Sequence, residues 1–258
     1  MLDINQILDN YNQDMRGFQA EILREYLQFK ILQGIFNETQ SSQLSFIGGT
    51  VIRVIYGSDR FSEDIDFDNF GLSWDDFNKM MNAVQRFLQL EGFAVEISLK
   101  KKGMDHCNVR FSELLSQYGL PSQKDQVLRI RVDTAQQGFA YEPTLKLLNK
   151  FDVFAGVRVT PIDILLSMKI TAAMERKRPK GRDFFDITFL LGQVKPNYAF
   201  LNQKLGLPDS ESLRRAMLQR IESLNFEELA EDVAPFLIKQ RDLKRVQLFK
   251  QYWVQADL

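Results

Sequence analysis

The stretch from Leu44 to Asp68 constrains this chain more than any other. Leu44-Ser45-Phe46-Ile47 is a short apolar run that meets Gly48-Gly49, and Thr50 to Tyr56 follows as a short helix closed by Gly57. Paired glycines at a strand end allow a tight turn and a close approach of backbone to ligand. Fifteen residues after Gly49 begins Asp64-Ile65-Asp66-Phe67-Asp68, whose strict alternation predicts a second strand. A period of two puts the three aspartates on one face and turns Ile65 and Phe67 into a core. Side chains two apart on such a face stand about 7 Å from each other, so each carboxylate raises the cost of ionising the next. From Glu63 to Asp76 there are six acidic residues and no basic one. A counter-charge must come from elsewhere: a divalent metal, for which carboxylate oxygens suit magnesium, or arginines such as Arg60.

Composition excludes several alternatives. The 258 residues carry 33 Lys+Arg against 34 Asp+Glu, so no bulk positive charge is available to coat nucleic acid, although a local basic groove remains allowed. Hydrophobic residues at 45% argue against global disorder. Cys107 is the only cysteine and His106 the only histidine, which removes an intrachain disulfide framework and a Cys/His zinc site. The segment MLDINQILDN has no basic and apolar signal pattern, and no apolar run reaches membrane-spanning length, so a cytoplasmic protein is expected.

Elsewhere the periodicity changes once. Helical spacing marks 14–36, and Ser73 is placed to cap a long helix to about Leu90. Ala94–Leu99, Cys107–Phe111 and Val127–Thr134 read as neighbouring strands, and Phe151–Val159 as one more strand or hairpin. From Thr160 the pattern is helical, with Thr160 as cap and Pro161 in the first turn. The expected plan is a mixed α/β core with an N-terminal helix over 1–160 and a helical domain over 161–258. In Val127–Asp133, Arg129, Arg131 and Asp133 share a face, while Leu128, Ile130 and Val132 fill the other. Lys169 lies on an otherwise apolar helix and reads either as a snorkelling side chain or as a functional cation. The run Lys169–Arg182 holds six basic residues and one acidic. The pattern assigns no role to His106 and reads Trp253 as packing.

Taken together, a glycine turn suited to phosphate and a carboxylate pair suited to metal serve nucleotide transfer from a nucleoside triphosphate. Gly48-Gly49-Thr50 followed by Arg60-Phe61-Ser62-Glu63-Asp64-Ile65-Asp66-Phe67 resembles the signature of the DNA polymerase β-like nucleotidyltransferases, and more narrowly of the AbiEii/AbiGii abortive-infection toxins. Pro161–Lys169, Arg176 and Arg182-Asp183-Phe184-Phe185-Asp186-Ile187 are similar to that family's lysine helix and its R-D-x-x-D motif. The resemblance implies an α+β fold: a polymerase β-like core, a mixed sheet with flanking helices, followed by a helical half that completes the active site. It implies that Gly48, Gly49 and Thr50 cradle the triphosphate with Arg60 and Ser62 as further nucleotide contacts. Asp64 and Asp66 would hold magnesium, most simply as a two-ion site, and the third carboxylate that many enzymes of this superfamily carry on an adjacent strand would be Asp133, with Glu96 and Asp152 behind it. Lys169 would contact nucleotide phosphates, and Asp183 or Asp186 would act in catalysis. The partners implied are an NTP, an RNA acceptor such as tRNA and a separately encoded antitoxin; no membrane is expected, and the chain is expected to be a monomer. Transfer to a small molecule or a protein, a silent nucleotide-binding module of the same fold, and a metal-dependent nuclease are the rival readings.

Overall fold

The computed structural model describes residues 1–120 and 127–258. It divides into two compact units. The first comprises residues 1–56, 61–138 and 143–159; the second comprises 57–60, 139–142 and 160–258.

The first unit is built on one mixed seven-stranded sheet. In chain order its strands are β1 (Leu44–Ile47), β2 (Ile65–Asn69), β3 (Val95–Lys102), β4 (Met104–Phe111), β5 (Leu128–Ala135), β6 (Thr144–Lys150) and β7 (Val153–Val159). They lie in the spatial order β3-β4-β5-β2-β1-β7-β6. β1 pairs antiparallel with β2 and parallel with β7, β2 pairs parallel with β5, and the remaining pairs are antiparallel. Alternation sorts the two faces. Val109, Phe111, Ile130, Val132, Ile65 and Phe67 are buried on the apolar one.

Helices Gln19–Phe36 and Trp74–Leu90 supply the layer that covers this sheet. Trp74–Leu90 begins as its sequence predicts, with the Ser73 hydroxyl accepting from Asp76 N–H, and buries Phe77, Met80, Met81, Val84 and Leu88 on one stripe. Gln19–Phe36 is buried on most sides and carries charge into the core. Glu25 accepts from Tyr11 Oη at 2.7 Å, Arg53 Nε at 2.7 Å and Lys150 Nζ at 2.8 Å. Burial pushes the Glu25 carboxyl up, but Arg53 and Lys150 outweigh it and hold it below its ordinary value. That network ties the helix after the glycine turn, Gly48–Val54, to the rest of the core.

Two features depart from the expectations above. β6 is a full strand that the alternation did not predict, because its apolar residues fall on both faces: Leu148 is buried while Leu145 and Leu147 are exposed. A two-residue turn then leads to β7. Its first residue, Phe151, has φ +59° and packs its ring edge-on against Tyr26 and Phe29, 5.2 Å away in each case. At the start of the helix Ile162–Glu175, Thr160 does not cap. Pro161 holds the N-cap position with no side-chain cap, and the Thr160 hydroxyl meets Tyr141 Oη at 2.6 Å.

The second unit is helical, its core a cluster of rings. Phe184 meets Phe226 and Phe249 edge-on, and Phe249 stacks on Trp253 at 5.6 Å. Trp253 is fully buried, in keeping with a packing role. Gly181 opens the helix Gly181–Leu191 against the backbone carbonyl of Leu229, with no room for a β-carbon. Gly181→Ala should therefore cost about 1–3 kcal/mol through overpacking, visible as a fall of several degrees in Tm. No helix among the described residues is long and apolar enough to cross a membrane.

Candidate active site

The polar face of the sheet gathers the first-unit candidates in adjacent rows. Ile47 pairs with Asp66, Asp66 with Asp133, and Asp133 with His106 across β1, β2, β5 and β4. Residues in register on adjacent strands share a face and lie about 4.8 Å apart along the hydrogen-bonding direction, so Asp66 and Asp133 present neighbouring carboxylates. Asp64 enters one step earlier, just before β2, beside Arg131. A cavity of about 260 Å³ opens here, lined by Asp66, Asp133, His106, Arg131 and Gln137 among others.

The glycine turn fits this arrangement. Gly48 has φ +82°, which glycine adopts at no steric cost, and a β-carbon there would collide with the Asp66 carboxylate. Thr50 is buried, and its hydroxyl donates to the backbone carbonyl of Asp64. It therefore anchors the chain that carries the first aspartate. Gly49 lies in the first turn of the helix Gly48–Val54. The carbonyl of Ser62 accepts from Gln28 Nε2 at 2.9 Å. Asp68, the third aspartate of the run, is buried and accepts from the Gln137 N–H at 2.8 Å.

Arg131 supplies the counter-charge that the acidic strand requires. Its Nη2 lies 2.9 Å from Asp64 Oδ2 and its Nε 2.8 Å from Asp133 Oδ2. His106 Nδ1 lies 2.7 Å from the other oxygen of Asp133. Among the described residues no three His, Cys, Asp or Glu side chains converge as a ready metal cage. The donor set is nonetheless the hard oxygen type that magnesium takes, and the Arg131 guanidinium bridges the carboxylates that would hold the ion. Its side chain is 47% exposed, so solvent is open to it if a metal displaces it. Of the alternative third carboxylates, Asp152 is ion-paired to Lys30 at 2.8 Å, and Glu96 stands on β3 opposite Arg110.

In the second unit the lysine and the two aspartates form one buried cluster. Asp183 and Asp186, three apart on the helix Gly181–Leu191, are both fully buried. Lys169 Nζ lies 2.8 Å from Asp186 Oδ2 and 3.4 Å from Asp183 Oδ1. Arg176 Nε approaches Asp183 Oδ2 to 3.2 Å, but not in hydrogen-bonding alignment. Arg60 is buried and donates from Nε and Nη2 to the two oxygens of Asp186, each at 2.6 Å. Burial pushes the Asp186 carboxyl up; Arg60 and Lys169 overcome this and hold it below its ordinary value. Burial likewise works against the Arg60 charge, and Asp186 more than restores it. Arg60, a nucleotide contact by resemblance, thus has its fork committed to Asp186.

The sequence model of a family described as the nucleotidyl transferase AbiEii toxin of type IV toxin–antitoxin systems matches residues 30–251. The chain belongs to the AbiEii family. Membership makes it a nucleotidyltransferase-family toxin and implies an antitoxin partner. The fold agrees with that of two solved Helicobacter pylori proteins. JHP933 is 16% identical with a TM-score of 0.56 over 92% of both chains. A candidate nucleotidyltransferase is 17% identical with a TM-score of 0.57, over 92% of this chain and 95% of its own. At that identity the likeness carries the fold alone. No curated protein matches the sequence.

Within this AbiEii chain, His106 is the site neighbour that sequence reasoning missed. The expected strand Cys107–Phe111 stopped one residue short of His106, whereas β4 runs from Met104 and its register on β5 sets His106 against Asp133. Arg24, whose Nη1 donates to the Arg129 carbonyl at 3.1 Å, lies on the helix that spacing marked over 14–36 and was given no role there.

Proposed function

We propose that this chain transfers a nucleoside monophosphate from an NTP to an acceptor hydroxyl of RNA, such as tRNA. In this reading it is a magnesium-dependent, cytoplasmic toxin held in check by its antitoxin. The observation that carries the reading is the in-register pair Asp66 and Asp133, with the Gly48 backbone packed directly against the Asp66 carboxylate. Asp64, Asp66 and Asp133 would hold the ion, which would supply positive charge to the acceptor oxygen and the triphosphate. The acceptor oxygen bonds to the α-phosphorus as the bond to pyrophosphate breaks, and the hydroxyl proton passes to a site carboxylate or to solvent. The Thr50 hydroxyl's bond to the Asp64 carbonyl and the pairing of β2 with β1 and β5 fix the backbone that carries Asp64 and Asp66, which supports this reading. The backbone at Gly48 and Gly49 is suited to approach phosphate oxygens closely. Lys169 and Asp183 are assigned to the same reaction by motif, whereas the Arg60–Asp186 pair is read as the support that keeps the Lys169 helix in place.

The test incubates the full chain with magnesium and each α-labelled NTP in three arms: total RNA, protein, and small hydroxyl acceptors. Label on RNA that vanishes with Asp64→Ala is the expected result. Label only on protein or small molecules overturns the RNA acceptor. No label in any arm, with triphosphate binding indifferent to Asp64→Ala, overturns the enzyme reading in favour of a silent module.

A further inference from the structure

The polar sheet face continues beyond the carboxylates, and its charge reverses. Next to the Asp64–Arg131 pair a cavity of about 170 Å³ is lined by Arg24, Glu63, Asp64, Arg129 and Arg131. It shares Arg24, Glu63 and Arg129 with a larger cavity of about 460 Å³ that adds Arg110 and Val127. The two form one trough, starting at Asp64 and running toward the Arg110 end of the sheet.

Its far end is set against electrostatic common sense. Arg110 on β4 and Arg129 on β5 are direct cross-strand partners, both exposed. Like charges directly opposite each other on a sheet are destabilising, and Arg24 adds a third guanidinium beside them. Among the described residues that line the trough, Glu63 and Asp64 are the acidic ones, and Asp64 is already paired with Arg131. Glu96 stands in register on the far side of Arg110 but makes no ion pair with it among the described residues. An anion between these arginines would relieve the repulsion. Their forks suit phosphate oxygens, which they grip in pairs. Arg129 and Arg131 are two residues apart on one face, about 7 Å, so the positive sites are spaced along the strand rather than focused on one point.

We propose that Arg24, Arg110 and Arg129 form a track for consecutive phosphodiesters of a single RNA strand, whose terminal hydroxyl is thereby delivered toward Asp64. The inference rests on the nucleotide-transfer reading for the role of Asp64, but the binding itself is measurable without any transfer. Arg129 and Arg110 grip the backbone, not the bases. The track is therefore indifferent to sequence, and the choice of acceptor is made elsewhere. Val127, exposed at the trough, adds an apolar surface at the same end.

The test measures binding of a fluorescein-labelled 20-nucleotide single-stranded RNA to the full chain by anisotropy between 50 and 200 mM salt. It compares the unaltered protein, Arg110→Gln/Arg129→Gln, and a control of equal charge loss, Lys79→Gln/Arg215→Gln, at exposed positions outside the trough. The trough variant should bind about tenfold more weakly, with a log–log salt slope shallower by about 1 to 1.5. The control should retain affinity within twofold. Equal losses in both variants would reduce the effect to bulk charge and overturn the track, as would an unchanged slope in the trough variant. If triphosphate affinity falls instead of RNA affinity, the arginines serve the nucleotide and the strand assignment is overturned. RNA binding that depends on the arginines in a protein that labels no acceptor leaves the track standing and sinks the transfer reading.

Discussion

Asp66→Asn should lower nucleotide transfer by a factor of about 10³ or more while leaving the fold intact. The magnitude follows from charge: a carboxylate that holds a catalytic ion contributes several kcal/mol to the transition state, and each 1.36 kcal/mol is a tenfold change in rate. Asparagine preserves the shape beside Gly48, so the sheet pairing of β2 with β1 and β5 has no reason to change. The loss should appear in kcat. Circular dichroism and the Tm check the fold, and initial rates with a labelled NTP check the chemistry. A variant that transfers within tenfold of the unaltered protein would remove Asp66 from the site. Asp133→Asn is the natural companion, because His106 and Arg131 both lean on that carboxylate.

Arg60→Ala should destabilise the protein by about 3 kcal/mol, measured by urea unfolding. Breaking a buried pair costs about 3–5 kcal/mol because the remaining charge is left without its partner. The lower end applies here, since Lys169 still stands 2.8 Å from Asp186. The pH dependence has a definite sign. Asp186 is held below its ordinary value of 3.8, so the stability it lends is fully present above that value and is lost as pH falls through the lower folded one. The gap between the two proteins should therefore narrow below about pH 4. A paired replacement, Arg60→Met with Asp186→Leu, should recover much of the loss, because an apolar pair of similar volume removes both desolvation costs. A gap under 1 kcal/mol at neutral pH would show that the pair contributes little.

What could be read in advance follows from how local the signals are. Strand, glycine turn, helix and acidic strand from Leu44 to Asn69 are written in consecutive residues, and they fold as written. Ser73 caps for the same reason. Register is not local. The family resemblance nominated Asp133 as a third carboxylate, but nothing in the chain announces that β5 lies parallel to β2 with Asp133 beside Asp66, or that β4 brings His106 to it. Arg60 stands in the same motif as Asp64 and was read with it. Its partner Asp186 lies 126 residues away, a pairing with no sequence signature. β6 escaped because an edge strand with exposed leucines breaks the two-face rule on which strand prediction depends. Thr160, a good cap by type, meets Tyr141 from a distant loop instead.

The division of the chain also bears on how such a protein can be inherited. The sequence passes between its two units at five points, after Tyr56, Arg60, Gly138, Glu142 and Val159. A crossover at the Val159–Thr160 junction looks clean in the gene, where strands give way to helices. It would import a foreign helical half for an Arg60 that remains behind on the other side of the cut. Unless the newcomer carried a carboxylate in place of Asp186, that arginine would lose its carboxylate partner. The two halves are therefore expected to evolve as one heritable block rather than as exchangeable modules.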